Sequence, residues 1–360
     1  MKKSYFTILV MFIACAPTEP LNQVPNYTIE QFMATTQIYG GDFSSDETEL
    51  LITSKESGVF NAYSVNIETG LQTKLTTSDS NAISAKSYFP VDNRIIFTSD
   101  QGGNELNHIY IKNIDGAVID LTPDSAKASY YGWNYEKTAI FWASNRRDPR
   151  YFDLYRTEVS GSAAEEGVFQ TESIYINEDG FTPSTISDNE RYLALSESIT
   201  TSNSNLYLLD KQTEIRTLIT PHEGDESNSA QYFSKDGQKL YFTTNRDSEF
   251  TYLVAYDLRT GERSLDEKAD WDISYAYLSK SGRFKVIAIN NDARIQIIIK
   301  DLKNDALVTI PNLPEGDITG VNISESETKM SFYLSSSKQP NDLFIYDFTD
   351  KSVKQLTHTL

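Results

Sequence analysis

The stretch FSKDGQKLYFTTNRD, which runs from Phe233 to Asp247, decides the fold. An apolar residue stands before an Asp236-Gly237 turn, and an alternating segment with a polar exit follows it. Glycine accepts the positive φ of a tight turn at little cost, and aromatic residues suit a half-buried pleated surface. The stretch therefore predicts half of a β-hairpin unit.

Six relatives of this stretch occur elsewhere in the chain. The apolar residue that opens each turn recurs at intervals of 46, 44, 53, 47, 45 and 45 residues. These anchors are Phe43, Phe89, Trp133, Ile186, Phe233, Leu278 and Ile323. The long interval predicts an insertion between the third and fourth repeats, which includes GSAAEEGVF.

A second β-rich run follows each anchor after 20 to 22 residues. Its reference positions are Tyr63, Tyr110, Tyr155, Tyr207, Val254, Ile298 and Phe344. Another strand lies between the two anchors, and a fourth usually follows, so each unit has four strands, called a to d. Four short strands with a period near 45 are typical of a propeller blade. The sequence predicts an all-β, seven-bladed β-propeller of four-stranded antiparallel blades over residues 35–360.

The links between strands predict which face of the ring carries function. The a–b and c–d links are short and rich in turn formers, whereas the b–c links are longer, as in SDQGGNELN and SNRRDPRYF. Because strands alternate in direction, the b–c and d–a links share one face. Binding residues concentrate on loops held by a rigid scaffold, so we expect function on that face.

The acidic composition excludes some partners. The formal net charge is −19, whereas sequence-independent nucleic-acid binding needs a basic surface. An anionic membrane surface would also repel the chain. With three scattered histidines and one cysteine, first-row transition metals lack ligands, and no cofactor or metal site is predicted.

The first residues predict export. A basic MKK precedes the apolar YFTILVMFI, which is too short to span a bilayer. Ala14-Cys15 then resembles a bacterial lipoprotein signal, with Phe12 where leucine is usual. We expect a signal peptide at 1–14, lipidation of Cys15, and an anchor linker and N-terminal segment at 15–34. An ordinary signal peptide is the alternative.

These features predict a periplasmic protein of a Gram-negative bacterium that contacts the membrane only through its lipid. The segment YTIEQFMATTQIY after the linker either adds a strand to the last blade or caps it with a helical turn. Thr28 and Gln31 have capping-box spacing, which supports the second alternative.

One b–c link concentrates arginine in an acidic protein. NRRDPRYFD, from Asn145 to Asp153, carries three arginines, and TNRD carries another in the fifth repeat. Guanidinium binds carboxylates bidentately, so these residues are candidates to hold a peptide or a partner. The candidate rim comprises Arg146, Arg147, Arg150, Tyr151 and Arg246. The alternative is an internal ion pair with Asp148, Asp153 or Asp247.

The repeat core FSKDGQKLYFTTNRD … YLVAYDLRTGE resembles the blades of TolB-type periplasmic propellers and of the prolyl oligopeptidase family of serine peptidases. Stretches such as SDQGGNELNHIYIKN, TPHEGD and ADWDISYAYLSKSGR are more similar to the second group. The resemblance covers Tyr27 to Thr357. It implies a propeller that precedes an α/β-hydrolase domain and limits access to its active site.

The chain departs from that family in its catalytic features. No Gly-x-Ser-x-Gly segment is present, and the histidines fall in different repeats, so no catalytic residue is carried over. Glu165-Glu166 matches only superficially the glutamate pair with which dipeptidyl peptidases of the family hold a substrate's amino terminus. We expect a non-catalytic gating propeller whose long-loop face meets a peptide substrate or a hydrolase domain. A TolB-like scaffold for envelope proteins is the alternative.

Overall fold

The structure, a computed structural model, describes residues 28–160 and 167–360. The chain divides after Thr35, and the second unit, Thr36–Leu360, contains all the strands of the described residues. The helix α1 (Ile29–Met33) belongs to the first unit and begins directly after Thr28. The predicted signal peptide, Cys15 and the pair Glu165-Glu166 lie outside the described residues. No described helix is long and apolar enough to cross a membrane.

Seven four-stranded antiparallel sheets confirm the predicted propeller, and each contains its strands in chain order. Blade 1 has β1 (Ile38–Phe43), β2 (Glu49–Ser54), β3 (Asn61–Asn66) and β4 (Gln72–Lys74). Blade 2 has β5 (Ile83–Tyr88), β6 (Ile95–Ser99), β7 (His108–Lys112) and β8 (Val118–Asp120). Blade 3 has β9 (Ala128–Trp133), β10 (Ala139–Asp148), β11 (Tyr151–Glu158) and β12 (Gln170–Tyr175).

The remaining four blades repeat this order. Blade 4 has β13 (Thr182–Ile186), β14 (Tyr192–Thr200), β15 (Asn203–Asp210) and β16 (Ile215–Leu218). Blade 5 has β17 (Asn228–Phe233), β18 (Lys239–Thr244), β19 (Tyr252–Asp257) and β20 (Arg263–Glu267). Blade 6 has β21 (Asp272–Leu278), β22 (Phe284–Asn291), β23 (Arg294–Asp301) and β24 (Ala306–Leu307). Blade 7 has β25 (Asp317–Ile323), β26 (Lys329–Ser336), β27 (Gln339–Asp347) and β28 (Val353–Gln355).

In the part of the chain that the structure describes, the hydrophobic core forms seven clusters, and each lies between two adjacent blades. In β2, Leu50 and Ile52 pack against blade 7, whereas Leu51 between them packs against blade 2. This follows from the two-residue period of a strand, which sends successive side chains to opposite faces. Both faces of a central strand are therefore buried, and one blade alone completes no core.

A threonine after the fourth strand caps the third strand in four blades. In blade 4, the backbone N–H of Leu206 donates to the hydroxyl of Thr220 at 2.8 Å, and Thr220 is fully buried. Thr76, Thr122 and Thr357 do the same in blades 1, 2 and 7. At this point the backbone of the fourth strand has begun to leave the sheet. The threonine hydroxyl therefore accepts the hydrogen bond from the buried N–H of the third strand, which would otherwise be unpaired.

The a–b links are tight turns of five or six residues, and six of the seven, all except that of blade 2, contain a positive-φ position. Glycine fills it in blades 5 and 6, at Gly237 and Gly282, as the sequence predicts. Glu47, Glu190 and Glu327 fill it in blades 1, 4 and 7, with φ of 56° to 57°. A left-handed conformation costs a non-glycine residue about 1–2 kcal/mol, so these glutamates need a compensating contact.

Each of these glutamates bonds to the preceding blade. Glu327 of blade 7 accepts from the N–H and the hydroxyl of Ser281 in blade 6, both at 2.7 Å. Glu190 of blade 4 accepts from the Asn134 amide of blade 3 at 3.1 Å. The contacts are charge-assisted, and such hydrogen bonds are stronger than neutral ones. The strained turns thereby clamp neighbouring blades together.

Among the described residues, blade 7 consists of β25 to β28, so no sheet is shared between the two ends of the ring. The backbone N–H of Thr36 donates to the carbonyl of Thr359 at 2.9 Å. The hydroxyl of Ser331 in blade 7 donates to the carbonyl of Gly41 in blade 1 at 2.8 Å. In the described residues, the segment before blade 1 contains the helical turn α1 and adds no strand to blade 7, and Ile38 opens blade 1.

Two details of the predicted links are wrong. The insertion lies within blade 3 rather than between blades, because β12 follows it and pairs with β11, with Tyr155 opposite Ser173. The b–c connections of blades 3 and 4 are two-residue turns between extended strands rather than long loops. The arginine-rich segment is thus a hairpin, since Ser144 still pairs with Asp153 beyond the body of the blade.

Candidate functional site

Arg147 lies in the hairpin of blade 3 and is tied to a buried acid. Its Nε and Nη2 atoms donate to the two oxygens of Asp153 at 2.6 and 2.8 Å, and Nη2 also donates to the carbonyl of Asn177 at 2.7 Å. Asp153 is 1% exposed. A buried carboxylate needs such partners, so Arg147 fixes the hairpin to the following d–a link. These hydrogen bonds also raise the pKa of Arg147.

Arg146 points to the other side of the same hairpin. Its guanidinium lies 2.6 Å from Asp124 of the preceding d–a link and 4.8 Å from the ring centre of Trp142. A cavity of about 600 Å³ opens between this link and the hairpin, and Tyr155 also lines it. The cation is therefore placed beside open space by an acid and an aromatic face.

Arg150 is the most exposed of these arginines in its side chain, at 73%. It donates to both oxygens of Asp148, at 3.0 and 2.7 Å, and these bonds lower the pKa of Asp148 to about 2. Its guanidinium lies 5.0 Å from the ring centre of Tyr151. Arg150 thus remains accessible to a further carboxylate although its charge is already paired.

Arg150 and Tyr151 border a cavity of about 420 Å³ between blades 3 and 4. Tyr131, Phe152 and Phe181 also line it. Aromatic walls with one cation at the rim suit an apolar side chain next to a carboxylate. The predicted rim residues of blade 3 therefore surround two neighbouring cavities rather than one site.

Arg246 lies two blades away and has a different partner from the predicted Asp247. Its Nε donates to Glu226 at 2.7 Å, and its Nη2 donates to the carbonyl of Pro221 at 2.7 Å. Glu226 is buried. The five predicted residues thus do not form one constellation, and whether any of them holds a peptide stays a prediction.

The opposite face of the ring carries a second group, which includes the residue two positions after the anchor in blades 3, 6 and 7. Tyr135 of blade 3 accepts a hydrogen bond at its carbonyl from Lys280 of blade 6, and the ammonium lies 3.9 Å from the Tyr135 ring centre. Blades 3 and 6 are not adjacent, so this contact crosses the axis of the ring. Burial lowers the pKa of Lys280.

A second contact links non-adjacent blades across the axis of the ring. Lys137 of blade 3 lies 2.9 Å from Glu325 of blade 7, and Lys280 lies 3.7 Å from the other oxygen of Glu325. We call Tyr135, Lys137, Lys280 and Glu325 the axial latch. Lys137 and Glu325 of the latch line two cavities of about 310 Å³ each, and Trp133 also lines both.

A buried acid lies in the wall of one of these cavities. Asp42 accepts from the Ser87 hydroxyl at 2.7 Å and from the Tyr88 backbone N–H at 2.8 Å, which ties blade 1 to blade 2. The Trp133 indole N–H donates to the same hydroxyl at 2.8 Å. Burial raises the pKa of Asp42, because the charged carboxylate loses hydration that the two hydrogen bonds only partly replace.

The axial latch was not predicted from the sequence, although the repeats contain a signal for it. The residue two positions after the anchor is charged in four repeats, at Asp188, Lys235, Lys280 and Glu325, and it is Tyr135 in another. A ring of repeats brings equivalent positions together around its axis. Aligning the repeats by column rather than reading each loop separately would have indicated the group.

The described residues contain no catalytic constellation of the serine-peptidase kind. His108 contacts Asp120 at 2.8 Å, but the other hydrogen bonds of the histidines go to the Thr220 carbonyl and to the amides of Asn203 and Gln355. None of them goes to a serine hydroxyl. In the same part of the chain, no three His, Cys, Asp or Glu side chains gather as metal ligands.

Comparisons with known proteins agree with this geometry. Residues 74–359 match the family described as prolyl oligopeptidase, N-terminal β-propeller domain. A search of curated proteins finds no match to the sequence. Many solved structures are similar, and the chain spans about half the length of the prolyl endopeptidase structures that it matches.

Three of these structures are representative. A puromycin-hydrolysing peptidase of Mycobacterium tuberculosis has a TM-score of 0.67 at 10% identity, with 91% of this chain and 54% of that chain covered. Prolyl oligopeptidase B of Galerina marginata, bound to a macrocyclisation substrate, has a TM-score of 0.64 at 13% identity, with 91% and 51% covered. An oligogalacturonate lyase in complex with manganese has a TM-score of 0.62 at 14% identity, with 86% and 90% covered. At these identities the likeness concerns the fold.

Proposed function

Because this chain belongs to the prolyl oligopeptidase N-terminal β-propeller family, we propose that it is the non-catalytic propeller of a peptidase of that kind. It would limit which peptides reach the active site of a hydrolase domain on the long-loop face, which is the face formed by the b–c and d–a links. The observation that carries the proposal is the axial latch. Its contacts from blade 3 to blades 6 and 7 would obstruct the opening on the opposite face and so exclude folded proteins from the axis.

The long-loop face supplies the second part of the proposal. The cavity bordered by Arg150 and Tyr151 offers aromatic walls and an exposed guanidinium. A peptide with an apolar residue next to its carboxyl terminus matches both features. The propeller would thus hold a substrate terminus while the adjoining hydrolase domain performs the cleavage.

Export and lipidation at Cys15 belong to the proposal and are supported by the sequence alone. Expression of the full chain in a Gram-negative host tests them. The protein should partition with membranes, and Cys15→Ala should move it to the soluble periplasmic fraction. Equal partitioning of both forms would contradict the lipid anchor.

The gating proposal is tested with purified residues 16–360. Fluorogenic Pro-containing peptides should not be hydrolysed, and an active-site serine probe should not label the protein. A labelled Ala-Pro-Phe peptide with a free carboxylate should bind. Arg150→Ala should weaken binding about two- to fivefold, as expected for an exposed ion pair, and Tyr151→Ala should weaken it through the loss of an aromatic wall. Arg259→Ala, an exposed arginine in a c–d link, is the matched control.

Each alternative has its own result. Turnover that follows the protein peak would mean that the propeller itself is catalytic. Unchanged binding in Arg150→Ala and Tyr151→Ala would place the peptide elsewhere. Capture of an intact envelope protein without any peptide binding would favour the scaffold alternative.

A further inference from the structure

Blade 6 has an incomplete outer strand. Its fourth strand, β24, has two residues and pairs only with Lys300 and Asp301 of β23, whereas the fourth strands of the other blades have three to six residues. After Leu307 one further bond follows, from the N–H of Val308 to the carbonyl of Ile299 at 2.9 Å. Residues 294–298 of β23 therefore form no hydrogen bond with the fourth strand of their blade.

In the other six blades this half of the third strand is bonded. In each blade we take the last third-strand residue that bonds to the fourth strand and count two residues back along the third strand. The residue reached in this way forms a hydrogen bond with the d–a link or with the next blade. In blade 2, for example, the N–H of Ala128 donates to the carbonyl of Asn107 at 2.7 Å. The equivalent residues in the other five blades are Phe60, Phe152, Ser204, Thr251 and Asn341, and each has such a bond.

The equivalent residue in blade 6 is Ile297, and its outward groups are bare. The N–H and C=O of one residue in an antiparallel strand point to the same side, and the side alternates along the strand. Because the Ile299 carbonyl faces β24, the groups of Ile297 and Ile295 also point away from β22. In the described residues no backbone or side-chain group bonds to them. Thr309, which corresponds to the capping threonines, is exposed instead.

The exposed edge combines apolar side chains with free backbone groups. β23 reads RIQIIIKD, and Ile295 and Ile297 are only partly buried. Native proteins usually protect such an edge with charges, proline or a covering segment, since it pairs readily with another chain. The residue at its start, Arg294, is 61% exposed in its side chain and contacts Asp317 at 3.2 Å.

From this geometry we infer that the Ile295–Ile299 edge of blade 6 is a docking site for an extended segment of another protein. The segment adds a strand antiparallel to β23, next to the residues of β23 with which β24 does not pair. It carries alternating apolar residues and a carboxylate near its carboxyl end, opposite Arg294. Backbone hydrogen bonds would supply the affinity, and Arg294 would supply the direction.

A second copy of this chain fits the edge less well. Antiparallel pairing of two β23 strands about Ile297 would place Arg294 of each copy opposite Lys300 of the other. Like charges directly opposite in a sheet are destabilising. An acidic segment of a different protein avoids this repulsion.

Residue-resolved amide exchange of residues 16–360 tests the docking site. In the free protein, the amides of Ile295 and Ile297 should exchange rapidly, whereas Gln296 and Ile298, which face β22, should be protected. The probe is acetyl-Val-Thr-Val-Thr-Val-Asp-amide, and it should slow exchange at Ile295 and Ile297 at least tenfold. The same peptide with alternate amides N-methylated is the control and should not protect.

Two variants separate binding from folding. Arg294→Glu should weaken the peptide about two- to fivefold, as expected for an exposed ion pair, and Arg259→Glu should not. Slow exchange of Ile295 and Ile297 in the dilute free protein would show that the edge is already covered and would overturn the inference. Absence of protection by the probe would do the same. Protection that rises with protein concentration alone would assign the edge to a second copy.

Discussion

Glu47 of blade 1 accepts hydrogen bonds from both the backbone N–H and the hydroxyl of Ser326 in blade 7, at 2.7 and 2.5 Å. The two residues are 279 positions apart in the chain. The contact has the same form as that of Glu327 with Ser281, so the seam of the ring uses the device that joins other neighbouring blades. At the seam, this device joins residues from opposite ends of the propeller.

Removal of this clamp should weaken the seam. Glu47→Ala should lower the free energy of unfolding by about 1 kcal/mol, which is less than a buried hydrogen bond to a charged group contributes, because Ser326 is exposed. Glu105→Ala is the matched control: Glu105 also has a positive φ, 61°, and its carboxylate has no partner among the described residues. Urea midpoints of the two variants measure the difference. Equal midpoints would mean that Glu47 does not hold the seam.

The capping threonines should matter only where they cap. Thr220→Val should lower the free energy of unfolding by about 1–3 kcal/mol, because valine has a volume similar to that of threonine but offers no acceptor to the buried N–H of Leu206. Thr220→Ser should restore most of this loss. The corresponding change in blade 6, Thr309→Val, should be nearly neutral. Thermal unfolding of the three variants provides the comparison, and a large effect of Thr309→Val would contradict the assignment of a bare edge.

Asp42 should make stability depend on pH. Its folded pKa is raised, so the folded state binds more protons than the unfolded state over the window that opens near pH 3.8. The stability of the native protein relative to Asp42→Asn should therefore fall as pH rises through that window and then become constant. Asp46→Asn is the control of opposite sign, because hydrogen bonds from Ser44 and Thr48 lower the pKa of Asp46. Thermal midpoints from pH 4 to 8 measure the first slope, and a flat difference would refute it.

The axial latch should control access to Trp133. This side chain lines both cavities, whereas Trp142 is fully buried. In a Trp271→Phe background, Lys280→Ala combined with Glu325→Ala should increase acrylamide quenching of the remaining fluorescence about twofold. High salt should have a similar but smaller effect, since exposed ion pairs are screened. Unchanged quenching would show that these residues do not obstruct the opening.

Much of the architecture was predictable because it repeats. Any one anchor such as Phe233 is ambiguous, but seven anchors in register predict strands, blade count and turn positions together. The strand ends were less predictable. Ser144 to Asp148 reads as a polar loop, yet it continues β10, because pairing with β11 satisfies backbone groups whatever the side chains are.

The candidate site was only partly predictable for a related reason. The sequence marks Arg147 and Arg150 as unusual cations and correctly suggests Asp153 and Asp148 as partners, because these acids are local in the chain. Glu226 as the partner of Arg246, and Lys280 as the partner of Tyr135, are 20 and 145 residues distant. Such contacts depend on where the ring brings separate turns, which no local pattern specifies.

The arrangement of the core into seven seams has a consequence for how this chain can change. Each central strand serves two seams at once, one with its odd and one with its even residues. A one-residue insertion in β2 would turn each later side chain of the strand to the opposite face of the blade. Residues that now pack against blade 7 would then face blade 2 and the reverse, so two seams would be disturbed together. Insertions are therefore confined to the links, and the chain carries its long one between β11 and β12. Divergence of the blades must proceed by substitution within strands and by length only at their ends.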